Sequence, residues 1–378
     1  MNNISKIWLS SPHMGGNEQK YINEAFETNW VAPLGPNVDG FESDLERYLN
    51  QNVYVGALSS GTAAIHLALI LLGIKEGDEV LCQSMTFSAT ANPITYLKAK
   101  PIFIDSEVET WNINPYFLEK AIINRISKGK KPKAIIAVHL YGMPFKVDEV
   151  LAIASKYEIP IIEDSAEALG SSFNDQKCGT FGDISILSFN GNKIITTSGG
   201  GAIVTKKKEV KEKAVFYATQ ARETAYHYEH KEIGYNYRMS NICAGIGRGQ
   251  MEVLDQHISL RRDIHKFYQE QFKNIKGISI FKEPNSCFYS NHWLSCITID
   301  YSLKSSLNSE KLRKLFEEEN IETRPLWKPM HLQPIFENCL YFGEDISETL
   351  FNTGLCLPSG SNLNEIEKER IKKVINSI

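Results

Sequence analysis

No Cys-x-x-Cys pair, no bilayer-length apolar run and no basic tract longer than a few residues occurs in the 378-residue sequence. Seven cysteines stand scattered at 82, 178, 243, 287, 296, 339 and 356. An odd, unclustered set argues against a disulfide framework or a zinc site and fits a reducing cytoplasm, the expected compartment. The longest apolar stretch, "AIHLALILLGI", is too short to span a bilayer and reads as a buried helix. The stretch "MNNISKIWLSSPHMGG" has no long apolar segment, so no signal peptide is expected. The lysine clusters "SKGKKPK" and "TKKKEVKEK" are short and read as solvated surface, so neither nucleic acid nor membrane is expected as a partner. The phosphate-loop pattern G-x-x-x-x-G-K-[ST] and the dinucleotide pattern G-x-G-x-x-G are both absent. His227 and His230 form H-x-x-H without H-E-x-x-H, and no metal is expected. Repeats and low-complexity tracts are missing too.

What remains is the composition of an ordinary globular chain, 42% hydrophobic and 23% charged with net charge −4. The length suits two domains. Apolar runs at 79–84, 101–105, 134–140, 159–164, 185–189 and 201–205 read as buried strands. Helical patterns at 62–72, 115–127 and 147–157 lie between them. Such alternation predicts an α/β fold with a mostly parallel sheet covered on both faces. The last two runs are too close for a helical crossover, so one of them is expected to run antiparallel. From about residue 245 the texture changes. Residues 249–272 read as one long amphipathic helix. The run "FYSNHWLSCITID" and helices near 308–320 and 364–377 complete a smaller C-terminal α+β domain. The expected division is 1–248 and 249–378.

Four features fall at strand ends, where open α/β sheets bind ligands. Ser59, Ser60, Gly61 and Thr62 precede an apolar helix. They suit an anion at a helix N-terminus and equally a plain N-cap. Asp164 ends a strand of isoleucines, where a carboxylate needs a cation or donors, with Glu167 in the following turn. Alone, such an Asp is a helix cap. Phe87 in "MTFSATANP" can stack on a flat ring or fill the core. Lys193 stands in "SILSFNGNKIITTSGGGAIVT", on a small-residue turn between two apolar runs. Desolvation disfavours the charged form of a lysine and so favours a nucleophilic amine, unless the chain snorkels to water. Together the four match the needs of pyridoxal phosphate: an amine for its aldehyde, a carboxylate for its ring nitrogen, a phosphate cup and a stacking partner.

The ordered motifs "SGTAAIHLAL", "TFSATANPI", "EDSAEALGS", "GTFGDISILSFNGNKIITTSGGGAIV", "GYNYRMSNICAGIGRGQM" and "RPLWKPMHLQP" cover nearly the whole chain. The sequence resembles the DegT/DnrJ/EryC1/StrS family of nucleotide-sugar aminotransferases, a branch of the fold-type I pyridoxal phosphate enzymes. Within it, "LSSPHMGGNEQKYINEAFETNWVAPLGPNVDGFE" and "WKPMHLQPIF" resemble the 4-aminotransferases acting on UDP-4-keto-6-deoxy-N-acetylglucosamine, on the route to bacillosamine. The resemblance implies a seven-stranded, mostly parallel sheet and L-glutamate as amino donor. It implies Lys193 as the cofactor-linked amine, Asp164 at the pyridinium nitrogen, Glu167 near the ring hydroxyl and Phe87 on the ring. Gly61, Thr62 and Ser188 would bind the phosphate, and Asn236 the phosphate in the neighbouring subunit of a homodimer with shared active sites. Candidates for the nucleotide sugar are Asn29, Trp30, Arg222, Lys231, Tyr235, Arg238, Trp327, Lys328 and His331. Many members carry Gly-Glu-Gly-Gly after the lysine; here the sequence is Ser198-Gly199-Gly200-Gly201. Other enzyme readings are 3-amino-sugar formation and amino-acid transamination; a sugar-sensing regulator is the reading outside catalysis.

Overall fold

The computed structural model describes residues 5–302 and 307–378. Its main sheet contains β1 (Tyr54–Leu58), β2 (Glu79–Gln83), β3 (Lys100–Ile104), β4 (Ala134–Val138), β5 (Ile161–Asp164), β6 (Ile184–Ser188), β7 (Gly201–Thr205) and β8 (Leu340–Phe342). Their order across the sheet is β1-β7-β6-β5-β4-β2-β3-β8. The pairs from β6 through β8 are parallel. Only β7 runs against the others, pairing antiparallel with both β6 and β1. The expected antiparallel strand is therefore β7, and the chain between β6 and β7 is the turn that carries Lys193.

The central strands have no polar face because both faces are covered. On one side Val80, Ile136, Ile162 and Ile186 meet Ala64, Leu67 and Leu69 of the helix Gly61–Leu71. On the other, Leu81, Ile135, Ala137 and Ile161 meet Leu118, Ile122, Val147 and Val150 of the helices Pro115–Ser127 and Val147–Tyr157. Successive strand residues thus go to opposite cores. Each fully buried leucine or isoleucine contributes about 1.5–3 kcal/mol of transfer free energy.

Two expectations need correction. The sheet has eight strands rather than seven, because Leu340–Phe342 returns from the C-terminal third to pair with β3. A three-residue strand gives no periodicity to read. The single helix expected over 249–272 is two, Asn241–Met251 and Leu254–Phe272. Val253 breaks them, with φ −117° and ψ 6°. The first buries Ala244, Gly245 and Gly247 against helices near the N-terminus, while the second buries Ile264, Tyr268 and Phe272 in a separate core.

That core backs a second sheet, Ile278–Ile280, Ser295–Ile299, Gly354–Leu357 and Arg324–Pro325, all antiparallel. Helices Ser309–Glu318 and Glu365–Ile375 pack on it, the latter closed by a capping box between Asn364 and Glu367. Ile7 joins the same core from the other end of the chain. Among the described residues, no helix is long and apolar enough to cross a membrane.

Two buried histidines tie this region to pH. The rings of His265 and His292 stack 3.6 Å apart, and His265 Nδ1 has no partner. Burial, then the neighbouring His292, pushes His265 down to about 3. His292 faces Glu283 at 3.2 Å, and Arg262 reaches the same carboxylate at 2.7 Å. An unfolded chain takes up the His265 proton below about pH 6.5, but the fold refuses it until far lower pH. The contribution is therefore intact above about pH 6.5 and lost as the pH falls towards the folded value. Thermal melts should show the melting temperature declining from about pH 6.5 to pH 4, and His265→Phe should flatten that decline.

Candidate active site

At the carboxyl ends of β5 and β6 lies a cavity of about 280 Å³. Four segments build it. The strand β1 leads into Ser59 and Ser60 and the helix Gly61–Leu71. Ser60 Oγ caps this helix by accepting from Ala63 N at 3.0 Å, so the N–H groups of Gly61 and Thr62 lie in a first turn without intrahelical acceptors. Ser188 closes the cup from the end of β6. The strand β7 makes the cup possible: a Cβ on Gly201 would stand 2.3 Å from the Ser60 carbonyl carbon. Small residues after the lysine let backbone meet backbone there.

Asp164 ends β5 inside the cavity, buried. Its Oδ2 accepts from Thr90 Oγ1 at 2.7 Å and its Oδ1 from Ala166 N at 3.1 Å. Thr90 in turn bonds Thr86 at 2.8 Å. Burial still pushes the Asp164 carboxyl above its usual range, against those donors and Lys193. Glu167 is also buried and also pushed up by burial, although Lys193 and the Tyr141 N–H oppose the shift. Tyr141 donates its N–H to Glu167 Oε2 at 2.7 Å from a left-handed backbone position, φ 55°.

Lys193 follows the turn Asn190–Lys193, closed by its own N–H on Asn190 O at 3.0 Å. Its side chain is 11% exposed, with Nζ 3.5 Å from Glu167 Oε1 and 4.1 Å from the centre of the Trp293 ring. It lines the cavity and does not snorkel to solvent. Phe87 is 54% exposed. It heads the helix Ser88–Tyr96 and lines the same cavity, 5.9 Å from the Trp327 ring. An exposed phenylalanine over a cavity is not a core residue.

The structure thus brings together Gly61, Thr62, Phe87, Asp164, Glu167, Ser188, Lys193 and Trp327. Sequence reading missed Thr90, Trp293, Asn190 and Asn192, which line the same space. A second cavity of about 720 Å³ shares Asn192, Trp293 and Trp327 with the first. Arg324 lines it, bound side-on to Glu322 Oε1 through Nε and Nη2 at 3.0 and 2.8 Å. Besides Lys193, it is the one lysine or arginine among the described residues lining either space.

The other candidates stand outside both cavities of this chain. Arg238 binds Glu42 and, at 2.8 Å, the Ala57 carbonyl. His331 is held by Ser84 Oγ at 2.7 Å and stacks on Tyr341 at 3.8 Å. Tyr235 stacks on Tyr237 at 5.0 Å. Lys231 pairs with Glu229 at 3.3 Å, and Arg222 lies 4.5 Å over the Tyr228 ring. Asn29, Trp30, Asn236 and Lys328 are exposed. His227 and His230 gather no metal-like cluster among the described residues. The cluster that does exist, His139, Glu163 and Cys178, is a hydrogen-bonded buried knot. Glu163 accepts from His139, Ser165, Ser185 and the N–H groups of Gly179, Phe181 and Gly182.

An amine held beside two buried carboxylates, on an α/β sheet of this order, defines a class: enzymes that work with pyridoxal phosphate. The chain belongs to the DegT/DnrJ/EryC1/StrS aminotransferase family, whose pattern matches residues 12–378. It is 50% identical over 374 residues to EpsN of Bacillus subtilis (strain 168), named as a pyridoxal phosphate-dependent aminotransferase, covering 98% of this chain and 95% of that one. It is 37% identical over 372 residues to the GDP-perosamine synthase of Escherichia coli O157:H7, covering 98% of each. The crystal structure of a family aminotransferase from Brucella abortus superimposes with a TM-score of 0.88 at 29% identity, over 96% of this chain and 95% of that one. The protein is a pyridoxal phosphate-dependent aminotransferase.

The residues present fit that cofactor on their own terms. Two buried carboxylates face one lysine, and both are displaced upward by burial. A protonated pyridine supplies the missing positive charge. The helix start at Gly61 and Thr62 offers N–H groups and the positive end of a dipole to a phosphate.

Proposed function

We propose that the protein transfers the amino group of L-glutamate to the 4-keto group of a nucleotide-linked 4-keto-6-deoxy sugar. The acceptor proposed is UDP-4-keto-6-deoxy-N-acetylglucosamine. The observation that carries the reaction type is the convergence of Lys193, Asp164 and Phe87 on one cavity with a larger space adjoining it. The sequence likeness of the segments around Trp30 and Trp327 supports the sugar. The likeness to GDP-perosamine synthases supports a nucleotide-linked acceptor.

When bound, pyridoxal phosphate supplies an aldehyde for amines and a protonated ring that takes up the electrons of a broken C–H bond. Asp164, fixed by Thr90 and Ala166, would hold the proton on the ring nitrogen. Gly61, Thr62 and Ser188 would hold the phosphate, and Phe87 would cover the ring. Lys193 Nζ would take up the proton from the donor's α-carbon and hold it for return within the same site. The Asn190–Lys193 turn fixes where its side chain starts. General acid–base transfer by one positioned group is worth about 10²–10⁴-fold. Arg324 lines the adjoining space as half of an ion pair with Glu322, which an anionic substrate end would share or displace.

The working unit proposed is a homodimer. Tyr226, Tyr228 and Ile233 are 78–100% exposed on the arm 219–236, and large apolar side chains displayed together suit a partner surface. Asn29, Trp30, Arg222, Lys231 and Asn236, outside this chain's own cavity, would then serve its partner's.

The test is product analysis. Protein with pyridoxal phosphate, L-glutamate and the UDP-linked keto sugar should yield a 4-amino sugar by mass spectrometry and NMR. The GDP-linked counterpart should react more slowly. Amine formed only on a 3-keto sugar, or only on keto acids, would overturn the proposal.

A further inference from the structure

Arg261 is a buried cation. It is 1% exposed in the middle of the helix Leu254–Phe272. No carboxylate among the described residues pairs with it, and burial alone lowers it to about 9. Its Nε has no partner. A buried charge held without an opposite charge is costly, and apolar side chains of similar volume usually serve a core as well or better. Such a group needs an explanation beyond packing.

What it holds suggests one. Nη1 donates to the Trp293 carbonyl at 2.5 Å, and Nη2 to Ser10 Oγ at 3.0 Å. Those same two residues then converge on a single atom. Ser10 Oγ–H donates to the Asn192 carbonyl at 2.8 Å, and the Trp293 indole N–H donates to it at 2.6 Å. Asn192 is joined to Lys193 by the peptide bond whose oxygen is so held. The Trp293 ring is also the surface under Lys193 Nζ, 4.1 Å away. One guanidinium therefore fixes both the backbone before the lysine and the ring beneath its amine. The four residues come from the N-terminal segment, the lysine turn, a long helix and the loop before Ser295–Ile299.

We propose that Arg261 is a positioning residue for Lys193: through Ser10 and Trp293 it sets where the lysine amine stands. The inference rests on the reading of Lys193 as the reacting amine, but it can fail separately. A displaced reacting group costs rate steeply, on the order of 10²-fold per ångström in the strictest cases. The role requires a two-pronged planar donor, which lysine does not supply.

Two variants test it, Arg261→Lys and Ser10→Ala. The second leaves Arg261 in place and removes one donor from the Asn192 carbonyl, so it answers even if the first folds poorly. In cofactor-free protein, Lys193 is labelled with acetic anhydride and quantified by peptide mapping against the exposed Lys328. Ser10→Ala should label Lys193 faster, by about tenfold, with a small fall in melting temperature because Arg261 Nη2 also loses its acceptor. In the loaded protein, the single-turnover rate with L-glutamate should fall by a similar factor at an unchanged amount of bound cofactor. Wild-type labelling and wild-type single-turnover rates in Ser10→Ala would overturn the inference. So would a lowered melting temperature with unchanged Lys193 labelling, which would make the cluster merely structural. If the wild-type protein binds no cofactor, the functional reading fails while the labelling ratio still decides this one.

Discussion

Lys193→Ala is expected to abolish turnover, by at least about 10³-fold, while the chain still folds. The variant removes the amine that meets the cofactor aldehyde and the group that moves the α-proton, and one positioned acid–base group alone accounts for about 10²–10⁴-fold. The fold should survive because Lys193 sits in a turn and not in a core. Its loss leaves Glu167 and Asp164 without their nearby cation. Both carboxyls are already pushed upward by burial, so they answer by keeping their protons rather than by unfolding the site. Lys193→Arg should be as inactive, since a guanidinium keeps the charge but is no nucleophile at neutral pH. Steady-state rates and thermal melts of the two variants check this. A rate in either variant close to that of the wild type would remove Lys193 from the chemistry.

Asp164→Asn should separate stability from function in opposite directions. The side chain keeps its shape and one acceptor, but it can no longer balance a protonated ring. Turnover should fall by at least about 10³-fold, because the ring proton makes the cofactor an electron sink. Stability in the cofactor-free protein should move the other way. Burial raises the folded Asp164 carboxyl above its unfolded value. Its contribution is therefore full below the unfolded value, near pH 4, and lost as the pH rises through the folded one. At neutral pH the wild-type site carries that penalty and the amide does not. The cofactor-free variant should melt at or above the wild-type temperature at about pH 7, with the advantage vanishing near pH 4. A variant that melts lower at pH 7 and keeps turnover would show Asp164 to be only a cap of the turn after β5.

The sequence exposed this site unevenly, and for physical reasons. Lys193, Asp164, Phe87 and the Ser-Gly-Thr helix start were legible because each breaks a local rule: a charge ends a buried strand, or small residues interrupt an apolar run. The antiparallel β7 was legible because the twelve-odd residues before it cannot make a crossover. Thr90 was not, because a threonine in a helix looks ordinary until β5 places Asp164 against it. Trp293 and Arg324 come from a distant part of the chain, and neither breaks its local pattern. Arg238 shows the opposite limit. An arginine beside tyrosines suggests an anion site, but its pairing with Glu42, almost two hundred residues earlier, is invisible in the local sequence. The strand β1 went unread because "YVGAL" is five residues with a glycine at its centre.

The most direct measurement is reductive trapping on the intact protein. The wild-type chain is loaded with pyridoxal phosphate, treated with borohydride and mapped by peptide mass spectrometry. Expected is one phosphopyridoxyl addition, on the peptide spanning 185–205 and at Lys193, absent from Lys193→Ala. An addition at another lysine, or none from protein that visibly binds the cofactor, would contradict the assignment of Lys193 as the reacting amine.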